Sequence, residues 1–390
     1  MSGDPISPRD SRAGEHADRP VRVLHVVDKL SASGSTVHGL TRLLSWWIPR
    51  FDPERALASV VSLRGPDPGQ ELLEKAGVEF RYAGSFKYDP RTLPNLVQTV
   101  RDQKIDILHL HGYGGWTLGR ICGWITGLPC IVHGHICDTA IPAYQRLADR
   151  ALRSRTAAAI AISRPVADFL VGKRSIRARD VQIVYSGVPL ELFRTPPSGR
   201  WHRALSIPDG HQLVATVGRL HPAKGLAYFL RAARQVLDAV EDVTFLIVGD
   251  GELLGELQRQ ARKLSLQDHV IFTGHIDDVP SLLAEVDVFA ISSVTEGGPV
   301  TLFEAMAAGR AIVATSVGAV PEVLEDSAAG LVIPPGDADA LAVKCILLLE
   351  NRALVEGFGN RAREEARRYE TSEAVKAFEL LYDRVAGVRT

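Results

Sequence analysis

The sequence has few cysteines, no long apolar run and no excess of charge of either sign. Four cysteines in 390 residues are too few for a disulfide framework, which indicates a reducing compartment. No apolar run approaches the roughly 20 residues that cross a bilayer. Lysine and arginine number 45 against 46 acidic residues, and the net charge of −1 argues against a nucleic-acid partner. We therefore expect a cytoplasmic protein that does not bind nucleic acid.

Apolar residues, in contrast, are abundant. They make up 46% of the chain and charged residues 23%, the balance of a protein with a well-formed core. The length predicts about two domains. Residues 1–20 are polar and have no apolar segment of a signal peptide, so we expect a disordered tail there.

Short β-branched runs alternate with helical patterns, which predicts the α/β class with doubly wound parallel sheets. The first half has predicted strands at 21–27, 57–62, 105–109, 130–133, 157–162 and 181–185, and predicted helices at 38–47, 92–103 and 114–125. The second half has predicted strands at 212–217, 244–248, 270–273, 286–291, 311–315 and 331–333, and predicted helices at 226–240, 253–264, 279–284 and 338–349.

Thr195-Pro-Pro-Ser-Gly-Arg200 interrupts this alternation. We therefore predict an N-terminal Rossmann-like domain over 21–194, a linker over 195–201 and a second Rossmann-like domain over 202–371. Ligands of such sheets bind at the carboxyl ends of the strands, where the strand order reverses. In a two-domain protein we expect this crevice between the domains.

Two glutamates eight positions apart mark a loop that leads into a helix: Glu296-Gly-Gly-Pro-Val-Thr-Leu-Phe-Glu304. Pro299 suits the first helical position, so Glu296 lies in the loop and Glu304 in the helix. A helix N-terminus offers unpaired N–H groups to an anionic or polyhydroxy ligand, and carboxylates accept from hydroxyls. The alternative is a corner of the fold with two solvated acids.

A second loop, Gly218-Arg-Leu-His-Pro-Ala-Lys-Gly225, follows the first strand of the second half. Gly218 allows close approach of the backbone to a ligand, and Arg219 and Lys224 supply two cations that suit a diphosphate. An ordinary turn with solvated cations is the alternative. Because the two acids are predicted in the same crevice, we favour a ligand site.

Four histidines lie near the ends of two predicted strands: His109, His111, His133 and His135. The run Cys130-x-x-His133-x-His135-x-Cys137 suggests zinc, but its spacing matches no ligand pattern. A single histidine that acts as a hydrogen-bond or proton partner is the favoured interpretation. Asp337-Ala-Asp339 resembles a metal-binding pair, but it precedes a helical run, which predicts that Asp337 is an N-cap.

The segment 144–155 combines four arginines with apolar residues at helical spacing: Arg146, Arg150, Arg153 and Arg155 beside Leu147, Ala151 and Leu152. A basic amphipathic helix of this kind suits peripheral contact with an anionic membrane, here the inner face. A surface helix with solvated cations is the alternative.

From about residue 21 to about 380, the sequence resembles the retaining, GT-B-fold glycosyltransferases of family 4 (glycosyl transferases group 1). The most specific match is Glu296…Glu304 with Ala-Met-Ala-Ala-Gly and Val-Ala-Thr-Ser-Val-Gly-Ala-Val-Pro-Glu322. The loop at 218–225 is the second. Weaker matches are Asp106-Ile-Leu-His-Leu-His111, Pro129-Cys-Ile-Val-His-Gly-His135 and Ile-Val-Tyr-Ser-Gly-Val-Pro-Leu-Glu-Leu-Phe193.

The resemblance implies two Rossmann-like domains that face each other across a cleft, with a C-terminal helix over 372–390 that crosses back to the first domain. It implies transfer of a sugar from a UDP- or GDP-linked donor to a hydroxyl acceptor, without a metal or other cofactor. The products would be glycans, glycolipids or glycosylated metabolites.

The resemblance also implies residue roles. Arg219 and Lys224 would neutralise the diphosphate, Glu304 would accept from the ribose, Glu296 would contact the sugar and His135 would line the reaction centre. The implied catalytic residues are therefore His135, Glu296, Arg219 and Lys224. The implied donor-binding residues are Gly34, Gly218, Arg219, Lys224, Glu296, Gly298, Val300, Thr301 and Glu304.

The sequence departs from the family pattern at three places. The first loop reads Ser33-Gly34-Ser35-Thr36 without paired glycines, Ser186 replaces a usual asparagine, and Ala319 replaces a second glycine. Two other functions stay open at this point. One is a sugar-nucleotide epimerase or a phosphorylase on the same fold, and the other is a nucleotide-sugar-binding protein without turnover.

Overall fold

The computed structural model describes residues 19–31, 39–137 and 140–387. The chain forms two compact units, each of the α/β class with a parallel sheet. Unit 1 contains the chain up to Tyr185 and again from Ser372 onward, and unit 2 is Ser186–Thr371. The two-sheet α/β architecture predicted from the sequence is confirmed.

In its described part, unit 1 has a parallel sheet in the order β3-β2-β1-β4-β5-β6-β7. Its strands are β1 Val21–Val27, β2 Ala56–Ser62, β3 Phe80–Tyr82, β4 Ile107–His111, β5 Cys130–Gly134, β6 Thr156–Ala161 and β7 Val181–Ile183. Its helices are α1 Gly39–Trp47, α2 Gln70–Lys75, α3 Thr92–Asp102, α4 Gly112–Thr126, α5 Ala143–Leu152 and α6 Arg164–Lys173, and α15 Thr371–Ala386 joins them from the far end of the sequence.

Unit 2 has a parallel sheet in the order β10-β9-β8-β11-β12-β13. Its strands are β8 Gln212–Val217, β9 Val243–Val248, β10 Val270–Gly274, β11 Val288–Ile291, β12 Ala311–Thr315 and β13 Leu331–Ile333. Its helices are α7 Arg200–Ala204, α8 Leu226–Leu237, α9 Leu254–Lys263, α10 Val279–Leu283, α11 Val300–Ala307, α12 Val320–Leu324, α13 Ala338–Leu349 and α14 Arg352–Glu365.

The central strands are buried along their whole length because helices cover both faces of a parallel sheet. Every residue of β9 and of β12 is buried, as is every residue of β4 and of β5. In unit 2, Phe245 of β9 packs against Phe229 of α8, with ring centroids 6.0 Å apart. Such packing fixes the strand ends from which the site loops begin.

Helix α15 packs on the rest of unit 1 through aromatic rings and carboxylates. Phe378 and Tyr382 are fully buried. The Arg55 guanidinium pairs with Glu379 at 3.2 Å and also with Asp383. The core of unit 1 is therefore completed by residues that follow unit 2 in the sequence.

The chain enters unit 2 near Val188 and leaves it near Thr371, and these two segments are hydrogen-bonded to each other. The Val188 N–H donates to the Tyr369 carbonyl at 2.9 Å, and the Thr371 N–H donates to the Val188 carbonyl at 3.1 Å. Gly187 has a φ of +67°, and a Cβ there would lie 3.1 Å from the Glu370 carbonyl oxygen. A glycine is required because the second segment lies so close.

The structure differs from the sequence prediction in its boundaries. The units divide after Tyr185, whereas the sequence predicted a linker at 195–201. That segment is held within unit 2, since the Ser198 hydroxyl and the Trp201 N–H both donate to the Glu285 carboxylate. The predicted strand 105–109 lies two residues later, at Ile107–His111. Within the described ranges, no helix is both long enough and apolar enough to cross a membrane.

Candidate functional site

The candidate site of unit 2 lies where the strand order reverses. Strands β8 and β11 are neighbours at this point, and the chain continues outward from them in opposite directions. The Gly218 loop follows β8, and the Glu296 loop follows β11 and leads into α11. Both loops leave the carboxyl ends of their strands, where open α/β sheets bind ligands.

Glycines allow the loops to pack backbone against backbone. A Cβ on Gly249 would lie 2.1 Å from the Gly218 carbonyl oxygen, and Gly249 has a φ of +131°. A Cβ on Gly225 would lie 2.1 Å from the Ser292 carbonyl oxygen, at a φ of +60°. Side chains do not fit at either place, so the Gly218 loop packs closely on the chain after β9 and on the chain after β11.

Lys224 and Glu296, which lie on separate loops, form an ion pair. The distance from Lys224 Nζ to Glu296 Oε1 is 2.5 Å, and the Ser293 hydroxyl donates to the same carboxylate oxygen at 2.9 Å. Both charged groups are only partly exposed. A small pocket beside the pair is lined by Thr216, Val217, Gly218, Lys224, Leu226, Ile291, Ser293 and Thr301. The structure thus brings four of the predicted site residues together: Gly218, Lys224, Glu296 and Thr301.

Arg219 is half-buried on the same loop as Lys224. Among the described residues its guanidinium has no hydrogen-bond or ion-pair partner. A half-buried cation of this kind suits an anionic ligand.

Glu304 lies in α11 and is only 1% exposed. It follows Thr301 by three positions, so the two share a face of the helix. Val300 is the first helical residue, and Gly298 lies in the preceding loop. The sequence predicted Pro299 at the first helical position, but Pro299 is the N-cap. Its ψ of 117° is extended and not helical.

Ala319, which departs from the family pattern, and Asp337, the predicted N-cap, both have local explanations. Ala319 has a φ of −73°, a right-handed conformation in which alanine is unstrained, whereas Gly318 has a φ of +54°. The Asp337 carboxylate accepts from the Ala340 N–H at 2.8 Å, which confirms the predicted N-cap.

Unit 1 has its own reversal of strand order, between β1 and β4. Asp28 follows β1, and its carboxylate accepts from the N–H groups of Gly114 at 3.3 Å and Gly115 at 3.0 Å. Burial raises the pKa of Asp28, against the opposing effect of Arg64. Sequence reasoning missed Asp28 because a single aspartate after a strand has no distinctive spacing. Gly34, predicted to contact the donor, lies outside the described residues.

His135 follows β5, and its Nε2 lies 2.9 Å from His111 Nδ1. The sequence predicted His109, His111 and His133 near strand ends, and all three lie within β4 or β5 and are buried. His111 belongs to the strand because β4 ends two residues later than predicted. His25, on β1, is directly opposite His109 in the register of the sheet. Sequence reasoning missed His25, although its place in a central strand was the available signal.

Two groups of histidines in the described residues have ring nitrogens within 4.8 Å of one another: His25, His109 and His111, and His111, His133 and His135. The cysteines of the zinc pattern are in neither group. Cys130 is buried and its thiol contacts the Gly119 carbonyl at 3.7 Å, while burial raises its pKa to about 12.

Two family profiles match adjacent parts of the chain. "Glycosyltransferase Family 4" matches residues 21–192, and "Glycosyl transferases group 1" matches residues 198–365. A phosphatidyl-myo-inositol mannosyltransferase from Mycolicibacterium smegmatis is 28% identical over 80% of this chain and 80% of its own. An Escherichia coli UDP-Gal:alpha-D-GlcNAc-diphosphoundecaprenol alpha-1,3-galactosyltransferase is 25% identical over 68% of this chain and 72% of its own.

Solved structures have the same fold. HepE from Anabaena, solved in complex with UDP and glucose, has a TM-score of 0.81 and 22% identity over 93% of this chain and all of its own. WaaG, a glycosyltransferase involved in lipopolysaccharide biosynthesis, has a TM-score of 0.70 and 17% identity over 93% of this chain and 99% of its own. The two profile matches, the two α/β sheets and these relatives establish that the chain belongs to the group 1 glycosyltransferases of the GT-B fold.

Proposed function

We propose that this glycosyltransferase moves a sugar from a UDP- or GDP-linked donor to a hydroxyl acceptor, with retention of configuration and without a metal ion. The observation that carries the proposal is the pair of cations on the loop after β8. Lys224 is held by Glu296 at the edge of a pocket, and Arg219 is half-buried with no partner among the described residues. Cations in this position perform the charge neutralisation that a metal would otherwise supply.

Each site residue then has a defined part. Arg219 and Lys224 bind the diphosphate, and the N–H groups of Gly298, Val300 and Thr301 at the start of α11 face developing negative charge. Glu304 accepts hydrogen bonds from the ribose. Glu296 contacts the sugar, and His135 has the part at the reaction centre that the family resemblance implies. Gly218 allows the backbone to approach the diphosphate.

The proposed reaction needs little covalent participation by the protein. The bond between the anomeric carbon and the terminal phosphate oxygen breaks, and the acceptor oxygen bonds to the same face of that carbon. The acceptor proton passes to the departing phosphate oxygen, so the products are the glycoside and a nucleoside diphosphate. Negative charge grows on the phosphate as the bond breaks, and fixed cations stabilise that charge without reorganisation.

Thermal-shift measurements with UDP, GDP, ADP and dTDP test the donor site. A ligand that binds only the folded protein raises its melting temperature by mass action. We expect at least one of UDP and GDP to do so, without added metal and in the presence of a chelator. Arg219→Ala should abolish the shift, whereas Lys263→Ala, at an exposed cation of the same unit, should preserve it. If none of the four nucleotides stabilises the wild-type protein, the donor site is wrongly assigned.

We also propose that α5 and the residues after it contact an anionic membrane. Tyr144 is 65% exposed and Leu147 is 70% exposed on this helix. The arginines of the segment are exposed as well: Arg146, Arg150, Arg153 and Arg155. Exposed apolar rings and chains among cations suit the interface of an anionic bilayer.

Co-sedimentation with vesicles tests this contact. We expect binding to phosphatidylcholine vesicles that contain phosphatidylglycerol, weaker binding as salt rises, and little binding to phosphatidylcholine alone. Replacing Arg146 and Arg150 with glutamine should reduce binding at least severalfold. Replacing the exposed Arg259 and Arg262 of α9 is the matched control. Equal binding to neutral vesicles, or no loss in the first variant, would contradict the proposal.

A further inference from the structure

Unit 2 has a second pocket, at the edge of its sheet opposite the candidate donor site. Gln212 begins β8, Asp287 directly precedes β11 and Arg310 directly precedes β12, so this pocket lies at the amino ends of the strands. Helix α14 forms its other wall. The pocket has a volume of about 450 Å³, within the range of roughly 300–1,000 Å³ that is usual for small-molecule sites.

Helix α14 lies close to the turn before β12 because both segments have a glycine at the contact. A Cβ on Gly359 would lie 2.3 Å from the Gly309 carbonyl oxygen. The residues of α14 that line the pocket share one face of the helix, since they recur at helical spacing: Arg352, Val355, Glu356, Asn360 and Arg363. The close contact therefore places Arg363 of α14 beside Arg310 of the turn.

Two guanidinium groups meet at one backbone oxygen in this pocket. Arg310 Nε and Arg363 Nη2 each donate to the Ala308 carbonyl at 3.0 Å. Arg310 Nη1 also donates to the carbonyls of Ala284 at 3.3 Å and Val286 at 2.9 Å. All of these acceptors are uncharged, and within the described ranges neither guanidinium forms an ion pair with a carboxylate. Two like charges are therefore held close together.

The surroundings of Arg310 disfavour its charge further. Burial lowers the pKa of Arg310, and the charge of Arg363 lowers that pKa as well, while Asp287 opposes both effects. The Asp287 carboxylate is itself engaged, since it accepts from the Leu213 N–H at 2.8 Å. An anion bound between the two guanidinium groups would reduce their repulsion and favour their charged forms.

Both guanidinium groups keep donors for such a ligand. Arg310 uses Nε and Nη1 on carbonyls and leaves Nη2, whereas Arg363 uses Nη2 and leaves Nε and Nη1. In the part of the chain that the structure describes, the remaining nitrogens donate to no protein group. A carboxylate has two oxygens and suits one guanidinium fork. A phosphate monoester has three free oxygens and nearly two charges, so it can bind both groups.

The other polar side chains of the pocket suit hydroxyl groups. The amides of Gln212 and Asn360 both donate and accept hydrogen bonds. The Glu356 carboxylate is paired with Arg352 at 3.0 Å, and both of these residues are exposed. With three arginines and two carboxylates, the lining has a net positive charge. These features together fit a polyhydroxy molecule that carries a phosphate.

We propose that this pocket binds a phosphorylated sugar or polyol. The phosphate lies between Arg310 and Arg363, and Gln212 and Asn360 bind hydroxyl groups of the same molecule. The candidate donor site lies at the carboxyl ends of the strands and this pocket at their amino ends, so the two sites are separate. The proposal therefore does not depend on the proposed function.

Isothermal titration of the full-length protein with ribose 5-phosphate, inorganic phosphate and ribose tests the pocket. At about pH 8 both phosphates are dianions, since their second pKa is about 6. We expect ribose 5-phosphate to bind at least severalfold more tightly than inorganic phosphate, because only the former has hydroxyl groups for the two amides. Ribose alone should not bind measurably. No saturable binding of ribose 5-phosphate, or equal affinity for the two phosphates, would overturn the proposal.

Two substitutions on α14 should weaken this binding. Arg363→Gln removes a charge-assisted hydrogen bond, so the Kd of ribose 5-phosphate should rise roughly tenfold or more. Asn360→Asp keeps the shape of an exposed side chain and adds a carboxylate to the pocket, so the Kd should rise severalfold. The melting temperature of each variant without ligand checks that it is folded.

Arg361→Gln is the matched control, because it removes a positive charge from the same helix outside the pocket. The Arg361 guanidinium lies over the Phe358 ring, 4.7 Å from its centroid. This variant should leave the Kd unchanged. Equal losses in Arg361→Gln and Arg363→Gln would show that the titration measures only the general charge of α14, which would overturn the proposal.

A phosphate also suits the candidate donor site, so the titration is repeated with Arg219→Ala. We expect ribose 5-phosphate to bind this variant with unchanged affinity. Loss of binding would assign the ligand to the loop after β8 and overturn the proposal. Failure of every nucleotide to stabilise the wild-type protein would contradict the proposed function alone, since the titration of ribose 5-phosphate does not require a nucleotide.

Discussion

At the scale of single residues, the ion pair between Lys224 and Glu296 couples the two binding roles that the sequence predicted separately. The sequence assigned Lys224 to the diphosphate and Glu296 to the sugar, as separate contacts. The structure shows them bonded at 2.5 Å, with Ser293 on the same carboxylate oxygen. A diphosphate that binds Lys224 must therefore compete with Glu296 for the ammonium group.

This competition predicts opposite effects of two substitutions on nucleoside-diphosphate affinity. Lys224→Ala removes a charge-assisted hydrogen bond of about 1.5–3 kcal/mol and leaves Glu296 to repel the ligand. Its Kd should rise by roughly 10- to 100-fold. Glu296→Gln keeps the shape and releases Lys224, so its Kd should stay the same or fall. Isothermal titration with the nucleotide that stabilises the protein measures both values.

A rise in Kd for Glu296→Gln as large as that for Lys224→Ala would show that the carboxylate binds the donor directly at the diphosphate. His135→Ala provides the third comparison. It should lower turnover and leave the Kd of the nucleotide unchanged.

At the scale of structural elements, the site depends on loops that are packed backbone to backbone. Gly249 supports Gly218 from the neighbouring strand end, and Gly225 supports Ser292. The nearest atom to a Cβ at Gly249 or at Gly225 is a backbone carbonyl oxygen, so the part of these glycines in the site is steric. They allow the chain to occupy space that a Cβ would fill.

We expect Gly249→Ala to destabilise unit 2 and to weaken nucleotide binding. The new Cβ would lie 2.1 Å from the Gly218 carbonyl, at a φ of +131°. Such strain costs about 1–3 kcal/mol, and the clash adds to it. Denaturation in urea measures the loss, and the nucleotide thermal shift measures the effect on the site.

Gly255→Ala is the matched control within the same unit. Gly255 lies in the first turn of α9, and a Cβ there meets nothing within 4 Å. Alanine should stabilise this helix by roughly 0.5–1 kcal/mol and leave nucleotide binding unchanged. A stabilised Gly249→Ala variant would mean that the two loops do not need their close contact.

At the scale of the whole molecule, the buried histidines predict how stability depends on pH. In the unfolded chain a histidine takes up a proton near pH 6.5, whereas burial lowers the pKa of His25 in the folded state to about 3. Between these values the unfolded state binds more protons, so stability falls as pH falls. Each such histidine contributes a slope of about 1.4 kcal/mol per pH unit.

His109, His111 and His133 have lowered pKa values as well, so the slopes add. We expect the stability of unit 1 to drop steeply from about pH 6.5 downward and to be nearly constant above pH 7. Urea denaturation at several pH values measures the slope. His25→Gln should reduce it by about 1.4 kcal/mol per pH unit, and an unchanged slope would show that His25 is protonated in the folded protein.

Much of the fold was predictable from local patterns. Strands such as β12 and β13 were predicted to the residue, since fully buried parallel strands are continuous apolar runs bounded by glycine or polar residues. The donor motifs were predictable because Gly218, Arg219, Glu296 and Glu304 lie within two short segments. Those features depend on residues that are neighbours in the sequence.

What could not be predicted depends on contacts between distant segments. The Lys224–Glu296 pair joins residues 72 positions apart. The hydrogen bond between His109 of β4 and Tyr382 of α15 joins residues 273 positions apart. The division of the units after Tyr185 has no signal of its own in the sequence, because Pro196 and Pro197 interrupt the periodicity within a segment that Glu285 holds in unit 2.

The position of Tyr382 in the sequence also affects the order of events during synthesis. His25 and His109 are translated before Ser186–Thr371, and Tyr382, whose hydroxyl is hydrogen-bonded to His109 Nδ1 at 2.7 Å, is translated after that unit. At about 5–20 residues per second, unit 2 occupies the ribosome for roughly 10–40 seconds in between. During that interval all seven strands of unit 1 have been translated, but Phe378 and the Tyr382 hydroxyl have not. A nascent chain stalled within unit 2 should therefore leave this part of the core of unit 1 open to chaperones and to proteolysis.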